Sequence, residues 1–571
     1  MGALQAPGQT RSSAVAAFPA QWTSRLEDIA AFAAAVGPGA SGVMPQRLSP
    51  DPDSSWLSRP FVHVRIVAGM TVVRGMRAWF GGHVLRLAPD GTTDGIFGAW
   101  CADEDGVEVR NDRYGCHPLY YFSNEQEFAV SPFVLTLLAC GAPRDLDEEG
   151  LAVFLRTGFF IGEHTPFRQI HALPPDCRLR WSRGSLRISG GMLNATHRVI
   201  PRTAAIDAFI DLFAQAIRRR AGSPGRLILP LSGGRDSRHI FLELLRQGHI
   251  PDHCITAHQF PPTPDHDAAI ASEVARAAGV RHVTVRQPAF PIRDELAKNL
   301  WLGLCTEEHA QFLPVMRTIA SQPAVRAFDG IGGDVLTGDW LKREDRLALF
   351  LGGRLEELAG TYLRDDREVA LKAMLPSGTY GRLNHGLAHD ALLGELRRHA
   401  HQPNPVGSFM FWNRTRRILP LVSYGLYMGA ATVFAPYLDR DVFDFLTSLP
   451  GAMLEDRQFH NDAIRRAYPR YASIPFSMEL SQARRVDRWF NRRFVAGIMM
   501  QLAVGRRPSF VRRSYLLPRL AKPLWNGTSG YRRFPPYLIL YLLQLGRIVA
   551  GEKWLAESGT AHQSRHGSPQ P

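Results

Sequence analysis

Leu227-Ile228-Leu229-Pro230-Leu231-Ser232-Gly233-Gly234-Arg235-Asp236-Ser237 is the stretch that decides the fold. Its apolar start predicts a buried strand of a parallel sheet. The run then breaks into a small, polar Gly-Gly turn. A helical pattern follows through Arg238-His239-Ile240-Phe241-Leu242-Glu243-Leu244-Leu245 and stops at Gly248. A strand, a glycine turn and a helix start make an anion cradle, because backbone N–H groups and the helix dipole both favour negative charge there. Gly233 and Gly234 permit close backbone approach. Ser232 and Ser237 can donate hydroxyl hydrogen bonds to phosphate oxygens. Asp236 is a poor phosphate contact by charge, so its natural task is to hold Mg²⁺ between phosphates.

The loop lacks the Gly-Lys-Ser/Thr ending of a Walker loop. It resembles the S-G-G-x-D-S loop of the PP-loop ATP pyrophosphatases. That resemblance implies cleavage of ATP between the α- and β-phosphates, with AMP left on a substrate oxygen. An ordinary strand-turn-helix with a Ser/Gly-rich turn is the plainer alternative.

With 571 residues the chain is long enough for two or more domains. A hydrophobic content of 45% and a charged content of 21% describe a globular protein. No apolar run reaches the length of a membrane span. Residues 1–20 lack the apolar core of a signal peptide. The six cysteines form no C-x-x-C pair, so neither a zinc site nor a disulfide framework follows, and a reducing cytoplasm is the expected compartment. The charge is very uneven. Residues 481–571 carry a net +13 of the chain's +14. Such a segment can meet nucleic acid, an anionic surface or an acidic partner, or be a solvated basic face that does nothing specific.

Residues 1–55, rich in Ala, Pro, Gly and Ser, read as a flexible leader. Residues 56–200 read as β-rich, with strand patterns at Phe61–Val67 and Val107–Arg110. From about Thr203, strands alternate with helices. Ala204–Arg220 reads as a helix and Arg226–Leu231 as a strand. His253–His258 reads as a strand, Asp267–Gly279 as a helix and Val283–Val285 as a strand. This β-α-β-α-β rhythm predicts a parallel sheet covered on both faces. The rest, to residue 557, is mostly helical, and residues 558–571 read as a free tail. There is no internal repeat.

Further blocks resemble the glutamine-hydrolysing asparagine synthetases. Phe97-Gly98-Ala99-Trp100 precedes Arg110-Asn111-Asp112-Arg113-Tyr114-Gly115-Cys116-His117-Pro118-Leu119-Tyr120-Tyr121, which is similar to the family's R-D-R-x-G-x-x-P-L-Y-Y. Thr165-Pro166-Phe167 and Leu173-Pro174-Pro175 continue in the family's order. So does the helix from His266-Asp267 to Gly279 and His282. Phe328-Asp329-Gly330-Ile331-Gly332-Gly333-Asp334 resembles its acidic loop, Pro436-Tyr437-Leu438-Asp439 its P-F-L-D, and Leu542–Leu555 with Trp554 its closing helix. The resemblance spans roughly residues 60–555. It implies a fold of α/β plus α+β class. A degenerate class II, N-terminal-nucleophile-type amidotransferase sandwich at 56–200 would precede a PP-loop parallel-sheet synthetase domain at 201–557 with a helical C-terminal part. It further implies ATP and Mg²⁺ as cofactors, with Leu231, Ser232, Gly233, Gly234, Asp236, Ser237, Thr256, Gly330 and Gly332 at the nucleotide. Asp236 and Asp334 would be the metal ligands, and Asp236, Asp334 and Arg235 the residues of the chemistry.

Four departures narrow that expectation. A glutaminase of this family uses an N-terminal cysteine thiolate with its own α-amine as base. Here Met1-Gly2 begins the sequence and no cysteine precedes Cys101, so glutamine hydrolysis is not expected and Cys101 and Cys116 read as core or turn thiols. Ile331 stands where the family has a glutamate that helps deprotonate the amine, and Val335 replaces the neighbouring glutamate. The family's transition-state lysine is missing from Ile474-Pro475-Phe476-Ser477-Met478-Glu479-Leu480, and Arg484 or Arg485 is not its equivalent as a point charge. Arg235 sits where an apolar residue is usual. It either touches a phosphate or an acidic substrate, or points to solvent or pairs locally.

The leading expectation is an ATP-dependent amide ligase of the asparagine synthase type, AMP- and pyrophosphate-forming, without glutaminase activity of its own. Its partners would be a small-molecule or peptide carboxylate and an amine or ammonia donor. A β-lactam-synthetase-like or lasso-cyclase-like enzyme, closing an amide within a peptide or other metabolite, is the second reading. A nucleotide-binding pseudoenzyme scaffold is the third. An RNA-modifying enzyme ranks last, since no aromatic-basic alternation appears and nucleic acid is not an expected partner. A weak contact of the basic C-terminal segment with an anionic surface and a homodimer both stay open. Glu307-Glu308-His309 reads as a pocket lining or a partial metal site. Arg414-Thr415-Arg416-Arg417 reads as a helix face or an inter-domain row, and residues 537–549 as a buried or surface-docking helix.

Overall fold

The computed structural model describes residues 28–36, 56–86, 93–258, 265–288, 290–323, 325–338, 340–341, 345–477, 488–504, 510–526 and 536–551. The tail, Met478–Leu480, Arg484, Arg485, Trp554 and most of the leader lie outside these residues.

A short helix, α1 (Ile29–Val36), precedes ten antiparallel strands: β1 (Val62–Val67), β2 (Met70–Gly75), β3 (Ala78–Arg86), β4 (Thr93–Ala102), β5 (Val107–Asn111), β6 (Tyr120–Ser123), β7 (Glu127–Ser131), β8 (His171–Ala172), β9 (Arg178–Ser182) and β10 (Ser185–Ser189). They form two five-stranded sheets, β2-β1-β7-β6-β8 and β10-β9-β5-β4-β3. Along β5 and β6 burial alternates residue by residue, because each strand turns one face to the opposite sheet. Val64, Trp100, Val109, Phe128, Leu179 and Trp181 fill the space between the sheets. The Trp79 and Trp100 rings stack at 4.4 Å. The β-rich reading missed two helices here, α2 (Val134–Ala139) and α3 (Glu148–Thr157). Their local signals are plain in the case of α3. The Asp147 side chain caps its start by accepting from Gly150 N at 3.0 Å, and Gly158, at φ 87°, ends it.

The second half opens with α4 (Arg202–Ala221), β11 (Arg226–Pro230), α5 (Asp236–Arg246), β12 (His253–His258), α6 (His266–Ala277) and β13 (His282–Arg286). It continues with α7 (Ile292–Trp301), α8 (Phe312–Ala320), β14 (Val325–Phe328), α9 (Gly333–Leu336) and β15 (Ala431–Phe434). The five strands pair in parallel in the order β13-β12-β11-β14-β15. Leu227, Ile228 and Leu229 are buried in succession, as a strand covered on both faces requires. From β11 the chain runs outward through β12 to β13, then returns to the other side of β11 as β14. The carboxyl end of β11 is therefore the topological switch point, where the loops after β11 and β14 diverge and leave a crevice. Both loops singled out in the sequence sit there.

The two halves share an extensive apolar core. They also share ion pairs and hydrogen bonds. Arg416 donates to Leu173 O at 2.6 Å, and Arg417 donates to Gly162 O and, at 2.7 Å, to His164 O. Those two arginines are the inter-domain row. Helix Pro536–Val549 is buried along most of its length, so it is a core helix and not a surface-docking one.

Candidate functional site

The loop between β11 and α5 is built by its own hydroxyls. Ser237 Oγ accepts from Ser232 N at 3.0 Å and lies 3.0 Å from Ser232 Oγ, which in turn accepts from Gly234 N at 3.2 Å. Gly233 N donates to Asp267 Oδ1 on α6 at 3.0 Å. The helix begins at Asp236, two residues before the expected start. No side chain caps it, and Asp236 is the acidic residue of its first turn. Leu231 is buried, and its N–H donates to Ile255 O at 2.9 Å. The buried Thr256 hydroxyl donates to Leu231 O at 2.5 Å and lies 2.8 Å from His282 Nε2. Leu231 and Thr256 thus brace the start of the loop from below.

The acidic loop comes up against Asp236. A Cβ placed on Gly330 would fall 2.7 Å from Asp236 Cβ, and one on Gly333 would fall 2.6 Å from Asp236 Cγ. Only glycine lets these backbones pass so close. Gly332 turns the loop at φ 91°, a left-handed conformation that favours glycine. Asp334 opens α9, where its Oδ1 accepts from Val335 N at 2.7 Å. Asp329 is turned inward: it accepts from the Ser423 hydroxyl and from Ile331 N, and burial raises its pKa. Ile331 is buried, so the position of the family's glutamate is an apolar part of the core.

Three residues escaped the sequence reading. His460, fully buried, places Nδ1 3.4 Å from Asp236 Oδ1 and Nε2 3.0 Å from His239 Nδ1. Tyr437 Oη donates to the Asp236 carbonyl at 3.2 Å and lies 3.2 Å from His460 Nε2. Tyr437 was quoted as the second residue of a P-F-L-D-like segment. The extra hydroxyl of Tyr over Phe was the available signal. Arg238, also buried, donates to Ile474 O at 2.8 Å, Pro475 O at 2.7 Å and Gly233 O at 3.2 Å, with its guanidinium 4.2 Å from the centre of the Phe476 ring. Ser477 N donates to Gly233 O at 2.9 Å. The segment expected to carry a lysine is thereby strapped onto the loop.

Arg235 does not point to solvent. It is buried, donates from Nη1 to Arg457 O at 3.2 Å, and holds Nε 3.9 Å from Asp236 Oδ1. Glu307 pairs with Arg367, and Glu308 with Arg414 at 3.2 Å. Among the described residues no group of three or more His, Cys, Asp or Glu side chains gathers as a metal site. A cleft lined by Asn194, Val335, Leu336, Ser408 and Phe411 includes no residue of the Ser-Gly-Gly loop.

His117 and His309 give the fold a pH dependence. Burial lowers the pKa of His117 to about 3 and that of His309 to about 4. The folded pKa values lie below the ordinary 6.5, so the folded state binds fewer protons and stability falls as pH drops from 6.5 toward 4. At pH 5 each costs about 2 kcal/mol. Asp112, raised to about 6 by burial, works the other way, and returns about 1 kcal/mol between pH 7 and 5. Burial lowers His83 to about 3 as well, so the expected outcome is a net loss of stability on acidification, read from urea unfolding midpoints between pH 7.5 and 5. His309→Asn, which tolerates that residue's φ of 82°, should remove that residue's own share, about 2 kcal/mol at pH 5, from the loss. An unchanged slope in that variant would refute the assignment.

An antiparallel two-sheet domain followed by a parallel sheet with paired loops at its switch point defines a protein of amidotransferase–synthetase architecture. The family model described as a glutamine amidotransferase domain matches residues 46–190, and the asparagine synthase model matches residues 208–498. The chain belongs to the asparagine synthase family. The activity that goes with this membership is ATP-dependent formation of a carbon–nitrogen bond. A search among curated proteins returns no match.

Proposed function

We propose that the protein adenylates a carboxylate with ATP and passes the acyl group to ammonia or an amine, without a glutaminase step of its own. The contact between Asp236 and the glycines of the acidic loop carries this reading. It brings the start of α5 and the start of α9 to one crevice at the switch point.

The loop from Ser232 to Ser237 and the amino end of α5 suit the β- and γ-phosphates. The substrate carboxylate attacks the α-phosphorus, the bond to the bridging oxygen breaks, and pyrophosphate leaves. The amine then attacks the acyl carbon and AMP leaves. Asp236 is one-quarter exposed and faces the Asp334 loop across glycines. A pair of carboxylates suits a hard divalent cation, and Asp236 and Asp334 would hold Mg²⁺ on this reading. When bound, that ion supplies charge neutralisation for the departing pyrophosphate. Asp236 is held from behind by His460 and Tyr437. With Ile331 buried, the proton of the amine leaves to a base other than residue 331.

The thiols support the absence of glutaminase chemistry. None of the six cysteines lies in or just before β1, the strand that an N-terminal nucleophile would open. Burial raises the Cys140 and Cys305 thiols to about 11 and Cys254 to about 12, and pushes Cys116 and Cys177 up as well. A thiol so raised supplies no thiolate at neutral pH.

The test is ATP–pyrophosphate exchange with Mg²⁺ over a panel of carboxylic acids that includes aspartate, followed by amide formation with ammonium and with glutamine. Exchange dependent on one acid, with ammonium used and glutamine not, is the expected result. Equal use of glutamine would overturn the loss of glutaminase. Absence of exchange with every acid, while ATP still protects the fold against heat, would favour a nucleotide-binding scaffold.

A further inference from the structure

Helices Arg488–Val504 and Arg513–Asn526 lie side by side in antiparallel fashion, with Arg492 Nη2 donating to Trp525 O at 2.8 Å. Each has a complete inner face. Asn491, Phe494, Val495 and Ile498 are buried on the first, and Tyr515, Leu516 and Leu520 on the second. The apolar surface needed for packing is thus already used. Yet the second helix carries another row outward, apolar but for the arginine that heads it. Arg513, Leu517, Ala521 and Trp525 recur every four residues, and all four are exposed, Leu517 at 54% and Trp525 at 89%. Met500 on the neighbouring helix is 59% exposed. Exposure of a Trp in one row with a Leu, on a helix already packed behind, and of a Met on the neighbouring helix marks a surface with something to bind.

The charge says what. Residues 481–571 hold 16 Lys and Arg against three acidic residues. Arg513 is exposed at the head of the same row. A second copy would bring like charge against like charge. Nucleic acid would meet the arginines but leave Leu517, Met500 and Trp525 without apolar cover. An anionic bilayer surface offers phosphates to the arginines and an apolar layer just beneath them to the Trp, Leu and Met side chains. No helix among the described residues is long and apolar enough to cross a membrane, so the contact lies along the surface. We propose that the helix pair Arg488–Val504 and Arg513–Asn526 docks the protein flat on an anionic lipid surface, with Leu517, Trp525 and Met500 inserted at headgroup depth.

The experiment is flotation of the full-length protein with large vesicles of phosphatidylcholine alone or with about 30 mol% phosphatidylglycerol. Expected is binding to the anionic vesicles that weakens at least about tenfold in neutral vesicles and in roughly 0.5 M salt. The double variant Leu517→Glu/Trp525→Glu should lose at least about tenfold in binding while keeping the wild-type thermal transition, since both side chains lie outside the core. Arg513→Glu should weaken binding less and flatten its salt dependence. Failure of the wild type to bind anionic vesicles would overturn the proposal and leave an acidic protein as the partner of this face. Wild-type binding by the double variant would overturn it equally.

Discussion

Asp236→Ala is expected to lower ATP–pyrophosphate exchange by on the order of a thousandfold while leaving the thermal transition nearly unchanged. The two halves of this expectation have separate causes. Asp236 is the first residue of α5, and alanine is the better helix former, so the backbone loses little. An acidic residue in a helix's first turn contributes about 0.3–1 kcal/mol, which bounds the stability cost. The carboxylate itself has no substitute. Asp329, the other acidic residue of the facing loop, is committed to Ser423 and to the Ile331 N–H, and is half-buried. On the proposed reading, Asp334 alone would leave a bound cation with one carboxylate instead of two. Asp236→Asn separates charge from shape: it keeps the volume between Gly330 and Gly333 and should lose nearly as much exchange. Exchange within tenfold of wild type in both variants would show that Asp236 plays no part in the chemistry.

Much of the frame that holds Asp236 was legible in the sequence, because its signals are local. The strand His253–His258 stands at its expected bounds, and β11, α4, α6 and β13 each differ by a residue or two at their ends. Leu227–Leu229 had to be buried on both faces, and the Gly-Gly turn had to break the strand. The acidic loop announced itself by three glycines around Asp334, and the structure gives a reason for two of them in the approach of Asp236. What stayed hidden depends on contacts between distant positions. His460 lies more than two hundred residues from Asp236 and carries no motif of its own. Arg238 reads as one more polar residue on an amphipathic helix, until the strap Ile474–Ser477 is seen folded over the loop. Arg235 left its contacts open in sequence, and only packing shows it turned away from solvent, with Nη1 on Arg457 O. The two helices α2 and α3 were passed over because strand formers dominate the stretch around them, although the Asp147 cap and the Gly158 stop were there to be read.

Arg220→Ala is expected to cost about 3–5 kcal/mol and to loosen the two domains from each other. Arg220 lies in the last turn of α4, ten residues before the strand of the Ser-Gly-Gly loop is complete, and is fully buried. Its Nη1 lies 2.5 Å from Asp439 Oδ2 and its Nη2 lies 2.5 Å from Asp94 Oδ2. Asp94 belongs to β4 of the first domain, whereas Asp439 caps helix Arg440–Ser448 of the second by accepting from Asp441 N at 3.1 Å. One guanidinium therefore joins three elements and both domains. Burial raises the Asp94 pKa, and Arg220 opposes that rise by holding the carboxylate charged. Without the arginine, two carboxylates are left buried together, with Arg219 at 2.9 Å from Asp439 as the remaining cation. Asp439 keeps a partner, Asp94 loses its own, and the penalty falls on the sandwich side of the interface. Urea unfolding of the full chain should then separate into two steps, the first belonging to residues before α4. Adding Asp94→Asn to Arg220→Ala should recover part of the loss, since a neutral amide is cheaper to bury than an unpaired carboxylate. A single variant that unfolds in one step at the wild-type midpoint would show that the apolar core alone joins the domains.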